Sequence, residues 1–94
     1  MHKLIEEIII FRNDRGWEKN DSPESLAKSI VIESAELLAN FQWGKSSYSE
    51  QNVKEEIADI LIYTLAMAHD LGLNIEEIIY EKMNKNALKY PAQK

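Results

Sequence analysis

Two short pairs of acids are the residues of this chain best suited to chemistry. Glu33 and Glu36 lie in the segment VIESAELL, and Glu56 and Asp59 lie in KEEIADILIY. Each pair has a spacing of three, so on a helix its side chains share one face and can converge on one cation. Carboxylates are hard oxygen ligands, which favours Mg²⁺ or Mn²⁺. The two pairs therefore predict an acidic metal site.

Asp59 is the most unusual of these acids, because it interrupts an apolar run from Ile57 to Ala68. A helix that apolar is expected to be buried. An ionised carboxylate without a partner would cost roughly several kcal/mol there, so a cation or a raised pKa is expected. Acids at this spacing are also common on exposed helices, so solvent exposure remains the alternative for a single pair. That alternative is weaker for Glu33 and Asp59, which have apolar neighbours.

Residue types and motifs that the sequence lacks exclude several kinds of metal site. The chain has no cysteine, which excludes disulfides, thiolate chemistry and cysteine-based zinc sites. Neither His2 nor His69 follows a Glu by three residues, so the Glu-x-x-His motif of di-iron bundles is absent, as is the His-Glu-x-x-His motif of helical zinc sites. What remains is an acid-only site with coordination positions open to water and phosphate oxygens.

Composition limits the class of protein and its partners. The 94 residues predict one small domain over 1–94, and 45% hydrophobic with 29% charged residues is typical of a soluble globular protein. A net charge of −5 argues against a nucleic-acid duplex or an anionic membrane as the main partner. A nucleotide whose phosphates are bridged by metal is still compatible. No signal-peptide pattern or membrane-spanning stretch is present, so a cytoplasmic setting is expected.

Apolar residues recur at helical spacing in four segments, which predicts an all-α fold. The expected helices cover about residues 3–15, 23–41, 52–71 and 75–89. Gly16 and Gly72 follow helix ends, while Ser22 and Asn74 are expected N-caps. Trp17 is expected to begin a loop, and 44–51 has the composition of a second loop.

Short connections between amphipathic helices predict a four-helix bundle-like subunit. A domain of this size buries only about 60–65% of its unfolded-chain surface, so oligomerisation is expected to complete its core. The third helix, apolar nearly all round, is expected to lie between subunits.

Four segments occur in an order that resembles the MazG-like nucleotide pyrophosphohydrolases, in particular their dCTP-pyrophosphatase-like branch. The segments are FRNDRGWE, ESAELLANFQW, EEIADILIY and KMNKNALKYP, and together they extend from Phe11 to Pro91. The resemblance implies Mg²⁺-dependent hydrolysis between the α and β phosphates of a nucleotide such as dCTP or a modified nucleotide, giving the monophosphate and pyrophosphate. The apolar third helix predicts a homodimer, and the resemblance implies a homotetramer, with sites near the subunit interfaces.

The same resemblance implies roles for individual residues. The Mg²⁺ ligands and catalytic acids would be Glu33, Glu36, Glu56 and Asp59. The nucleoside pocket would be lined by Trp17, Trp43 and Tyr63, with Asn86 near the nucleotide and Lys82 and Lys89 near the phosphates. Glu36 is the first candidate among the acids for orienting or deprotonating the attacking water. The chain departs from many family members in having Ile32 where they carry a further Glu, and Lys89 where Arg is frequent.

Taken without the resemblance, several of these residues have simpler interpretations. Trp17 and Trp43 could cap the core, and Tyr63 could be a core tyrosine with a satisfied hydroxyl. The lysines of the last helix could form a solvated basic face. Arg12 and Arg15 could contact phosphate or pair with nearby acids, and the sequence leaves both open.

Two functional alternatives also remain at this point. One is a non-enzymatic helical module for oligomerisation or partner binding, in which the acids are structural. The other keeps the enzyme and changes its substrate to dUTP.

Overall fold

The computed structural model describes residues 1–44 and 48–93, and these residues form four α-helices and one 3₁₀-helix without any strand. The helices are α1 (His2–Asp14), α2 (Pro23–Ala39), α3 (Glu50–Asp70) and α4 (Ile75–Lys89), with the 3₁₀-helix at Trp17–Lys19. The predicted all-α class with four helices is confirmed. The main differences lie at helix ends, since α2 ends before the expected Phe41 and α3 already begins at Glu50.

The capping residues explain where the helices begin. Ser22 Oγ accepts a hydrogen bond from the Ser25 N–H at 3.1 Å, and the Ser22 N–H donates to Ser25 Oγ at 2.8 Å. This reciprocal pair satisfies donors that the first turn of α2 leaves free. Asn74 Oδ1 likewise accepts from the Glu77 N–H at 3.0 Å at the start of α4. Both predicted N-caps are confirmed.

The connection after α1 is more ordered than the expected loop. Gly16 has φ 69°, a left-handed conformation that glycine adopts without a Cβ penalty. The chain then enters the 3₁₀-helix, where the N–H groups of Asn20 and Asp21 both donate to the Trp17 carbonyl at 3.1 Å. Trp17 therefore begins a short helix rather than a loop. Of the predicted loop at 44–51, residues 45–47 lie outside the described residues.

The helices pack unevenly. α2 packs mainly on α3, and α1 lies against α3. The buried apolar core consists of Leu26, Leu65, Ala66 and Ala68. Within one chain, the buried residues of α3 are Leu65, Ala66 and Ala68 near its C-terminal end, while Ile57 and Leu61 are exposed. The expected burial of this helix between subunits stays a prediction.

The fourth helix departs from a closed bundle. None of its residues is buried, and it makes few contacts with the other described helices. Apolar and aromatic side chains on and just after α4 are open to solvent: Ile79, Tyr80, Met83, Leu88 and Tyr90. A single chain thus forms a three-helix core with α4 projecting from it. No helix in the described part of the chain has the length and apolarity needed to span a membrane.

Candidate metal and nucleotide site

Three of the four predicted acids converge where α2 packs on α3. Glu33 comes from α2, and Glu56 and Asp59 come from successive turns of α3. One carboxylate oxygen from each residue lies within 4.8 Å of the other two, and all three residues are half-buried. We call these three residues the acid triad. Its oxygens are close enough to share a single cation.

The electrostatics of the acid triad fit a cation. A hydrogen bond with Glu56, which Glu33 can make only when protonated, raises the pKa of Glu33, and burial and repulsion from Glu56 and Asp59 act in the same direction. Oε2 of Glu56 is buried and meets no donor among the described residues. Buried polar oxygens normally have a partner. A hard divalent ion would supply it and relieve the repulsion, so the donor set suits Mg²⁺ or Mn²⁺.

The fourth predicted ligand, Glu36, lies beside the acid triad. It is solvent-exposed, one turn after Glu33 on α2. A hydrogen bond between these two acids partly opposes the rise in the pKa of Glu33. Glu36 can therefore reach the edge of the site from the solvent side.

A cleft of about 660 Å³ adjoins the acid triad. Asp59 belongs to both the triad and the cleft wall, so a ligand in the cleft would lie next to the candidate metal site. The wall is mainly apolar and is formed by α1, the 3₁₀-helix, α2 and α3: Glu7, Ile8, Phe11, Arg12, Trp17, Asp21, Leu26, Ser29, Asp59, Ile62, Tyr63 and Ala66. An apolar cleft with a few polar groups is typical of a small-molecule site.

Two of the three predicted aromatic residues border this cleft. Trp17 packs edge-to-face against Phe11, with ring centroids 5.9 Å apart, and is 51% exposed. The ring therefore does not cap the core, and much of it is free to contact a ligand. Burial raises the pKa of the Tyr63 hydroxyl, and the charges of Glu33, Asp59 and Asp21 raise it further. Acids of the triad and Asp21 of the cleft wall therefore both act on the Tyr63 hydroxyl.

The sequence left open whether Arg12 contacts phosphate or pairs with an acid, and in the structure Arg12 pairs with Asp70. Its Nη1 and Nη2 donate to the two carboxylate oxygens of Asp70 at 2.7 and 2.8 Å, and Nη1 lies 3.5 Å from Asp21 Oδ2. Arg12 is 8% exposed, and it joins the C-terminal ends of α1 and α3. Arg15 instead places its guanidinium 3.4 Å from the centre of the Phe11 ring. Neither Asp21 nor Asp70 was singled out from the sequence.

The remaining predicted residues lie away from the cleft within one chain. Trp43 is 82% exposed and does not border the cleft. Lys82, Asn86 and Lys89 lie on α4, which contributes nothing to the cleft wall in the described part of the chain. One chain therefore brings three candidate metal ligands together beside a cleft that two of the predicted aromatic residues border, but it does not bring the basic residues there.

The known proteins that this chain resembles are pyrophosphatases, and a family model matches most of its length. Residues 28–94 match the model of the MazG-like family. The dCTP pyrophosphatase 1 proteins of Homo sapiens and Bos taurus are each 32% identical to this chain, over 87% and 86% of its length. The alignments cover 54% and 53% of those proteins, so the chain spans about half the length of the curated relatives it matches. A crystal structure of a pyrophosphatase from Archaeoglobus fulgidus superposes with a TM-score of 0.89 at 43% identity, covering 98% of this chain and 93% of that one.

Proposed function

Because this chain belongs to the MazG-like family, we propose that it is a Mg²⁺-dependent nucleoside triphosphate pyrophosphohydrolase. The reaction is hydrolysis between the α and β phosphates of a (deoxy)nucleotide such as dCTP or a modified nucleotide. Water attacks the α phosphorus, the bond from that phosphorus to the bridging oxygen breaks, and the nucleoside monophosphate and pyrophosphate are released. Two relatives carry the name dCTP pyrophosphatase 1, which supports this choice of substrate.

The observation that carries the proposal is the acid triad beside an apolar cleft. Glu33, Glu56 and Asp59 would hold the metal, with Glu36 as a fourth ligand or as the group that orients the attacking water. A bound divalent cation supplies charge neutralisation at the phosphate oxygens and makes water more acidic. Trp17 and Tyr63 would enclose the nucleoside, since both already border the cleft. Their rings would also exclude bulk water from the reacting phosphate.

We further propose that a second copy of the chain completes the site. A triphosphate needs positive charge near its leaving group, and Lys82 and Lys89 lie on α4, away from the triad of their own chain. The exposed apolar face of α4 also favours association. In a homodimer or homotetramer, α4 of one subunit would bring these lysines and Asn86 to the site of another, and Trp43 would close the pocket. Light scattering tests the assembly, and a monomer would contradict it.

Product identity tests the reaction. The protein is incubated with dCTP and Mg²⁺, and the release of pyrophosphate and of orthophosphate is measured separately. Pyrophosphate with dCMP is the expected result, whereas orthophosphate as the first product would refute cleavage between the α and β phosphates.

A matched pair of variants tests the site. Glu56→Gln removes a triad carboxylate, while Glu55→Gln removes the same charge from a neighbouring exposed position outside the triad. We expect the first to lose at least about 100-fold in turnover, by analogy with the loss of one electrostatic catalytic group, and the second to keep the rate of the parent. Equal rates in both variants would show that the triad does not carry the reaction, whereas no pyrophosphate release by the parent protein would favour the helical interaction module.

A further inference from the structure

Asp21 occupies a fixed position in the wall of the cleft. Its backbone N–H donates to the Trp17 carbonyl at 3.1 Å, four residues back, directly after the Asn20 N–H closes the 3₁₀ turn on the same carbonyl. The next residue, Ser22, caps α2 through its reciprocal hydrogen bonds with Ser25. The chain is therefore held on both sides of Asp21. The carboxylate is positioned by ordered backbone together with Trp17, which borders the same cleft.

The carboxylate of Asp21 retains capacity to accept hydrogen bonds. Its nearest cation is Arg12, whose Nη1 lies 3.5 Å from Oδ2, and both terminal nitrogens of that guanidinium already donate to Asp70 at 2.7 and 2.8 Å. At 3.5 Å this contact is long for a hydrogen bond, so the carboxylate keeps acceptor positions for a ligand. The side chain is 25% exposed, and Asp21 lines the cleft.

The other polar groups of the cleft cannot discriminate between ligands in the same way. Ser29 and Tyr63 carry hydroxyls, which both donate and accept. Glu7 is exposed on α1. The two terminal nitrogens of Arg12 donate to Asp70, and its Nε is buried, so it is not presented to a ligand. Asp59 belongs to the acid triad. Asp21 is thus the one positioned, acceptor-only group in the described wall that is available to a ligand's polar edge.

We propose that Asp21 is a specificity-determining residue that accepts a hydrogen bond from the exocyclic amino group of cytosine. Uracil and thymine carry a carbonyl oxygen at that position, so two acceptors would face each other and Asp21 would lose its partner. This inference rests on the proposed function, because it requires the cleft to hold a nucleoside. Sites that hydrogen-bond a substrate group reject analogues lacking it by up to about 10⁴–10⁵-fold. The partial exposure of Asp21 lets water compensate, so we expect about 10–100-fold in kcat/KM.

The first test uses the unmodified protein and three substrates. Pyrophosphate release is measured from dCTP, from dUTP and from the deoxynucleoside triphosphate of pyrimidin-2-one, which has only hydrogen at position 4. The expected order of kcat/KM is dCTP, then the pyrimidinone, then dUTP, because the second substrate loses a hydrogen bond and the third adds repulsion. This series needs no variant and is unaffected by folding defects.

The second test uses Asp21→Asn with Asp14→Asn as its control. The amide of Asn can rotate to donate to a carbonyl, so the ratio of kcat/KM for dCTP over dUTP should fall at least about tenfold, partly through faster dUTP hydrolysis. Asp14 ends α1, is exposed and does not border the cleft, so its variant should keep the parent ratio.

The outcomes separate the two proposals. Absence of pyrophosphate from every triphosphate would remove the proposed function and this inference with it. Pyrophosphate release at equal rates from dCTP and dUTP, or an unchanged ratio in folded Asp21→Asn, would overturn the role of Asp21 alone.

Discussion

The ion pair between Arg12 and Asp70 should make an unusually large contribution to stability for a protein this small. The two residues are 58 positions apart, and their two hydrogen bonds of 2.7 and 2.8 Å join the C-terminal ends of α1 and α3. The side chains are 10% and 25% exposed. Asp70→Asn keeps the shape of the side chain but removes its charge, leaving the guanidinium with Asp21 at 3.5 Å as its remaining carboxylate neighbour.

The size of the effect follows from burial. Removing one partner of a fully buried ion pair costs about 3–5 kcal/mol, because the other charge is left uncompensated. Asp70 is a quarter exposed and Asp21 supplies partial compensation, so we expect about 2–3 kcal/mol for Asp70→Asn at pH 7. An exposed pair would give no more than about 1 kcal/mol.

Urea denaturation measures this difference, with protein concentration held constant because association would also change the midpoint. Hydrogen bonds from Arg12 lower the pKa of Asp70 against the opposing effect of burial, and a hydrogen bond with His69 and the attraction of both side chains lower this pKa further. A lowered pKa in the folded state gives stability that is present above the unfolded value of about 3.9 and is lost as pH falls through the folded value. The difference between parent and Asp70→Asn should therefore persist from pH 7 to about 5 and narrow below about pH 4. A difference under about 0.5 kcal/mol at pH 7, or one that is already lost at pH 6, would refute this reasoning.

Three further predictions concern the caps, the turns and the triad. Ser22→Ala should cost about 1 kcal/mol by removing the N-cap of α2, whereas Ser34→Ala, on an exposed part of the same helix, should change the free energy of unfolding by less than about 0.5 kcal/mol. Gly16→Ala and Gly72→Ala should each cost about 1 kcal/mol in urea denaturation, because φ is +69° and +70° while no atom lies within 4 Å of an added Cβ. Glu56→Gln should raise the metal-free melting temperature by about 2–4 °C, or about 0.5 kcal/mol, since it relieves repulsion in the triad, and it should abolish the further rise that Mg²⁺ gives the parent. A lower metal-free melting temperature for Glu56→Gln would show that the triad does not strain the protein.

The features that could be predicted from the sequence are local ones. Ser22 and Asn74 determine helix starts by hydrogen bonds within a single turn, and Gly16 ends a helix through its own φ. The acid triad was also predictable, because the spacing within each helix fixes which acids share a face. The sequence does not show which helices pack together, and it is the packing of α2 on α3 that brings Glu33 to Glu56 and Asp59.

The features that could not be predicted depend on which separate elements meet. The Arg12–Asp70 pair joins two helix ends 58 residues apart, and no periodicity in the sequence records that contact. Asp21 lines the cleft because the 3₁₀-helix before it lies against α1, and no local pattern in the sequence records that contact. The position of α4 could not be predicted either, because an amphipathic helix has the same spacing of apolar residues whether it packs on its own chain or on another.

Asp59 is less buried than the apolar residues around it in the sequence suggested. The apolar run around it suggested a fully buried carboxylate, but Asp59 is half-buried and opens onto the cleft. The cost it imposes comes mainly from Glu33 and Glu56, with which it shares the space between α2 and α3. These two helices form the most extensive packing in the described part of the chain, so the repulsion is held between packed helices rather than on a loop. A cation that binds there removes the repulsion without requiring the helices to move, which is the arrangement expected of a preorganised metal site.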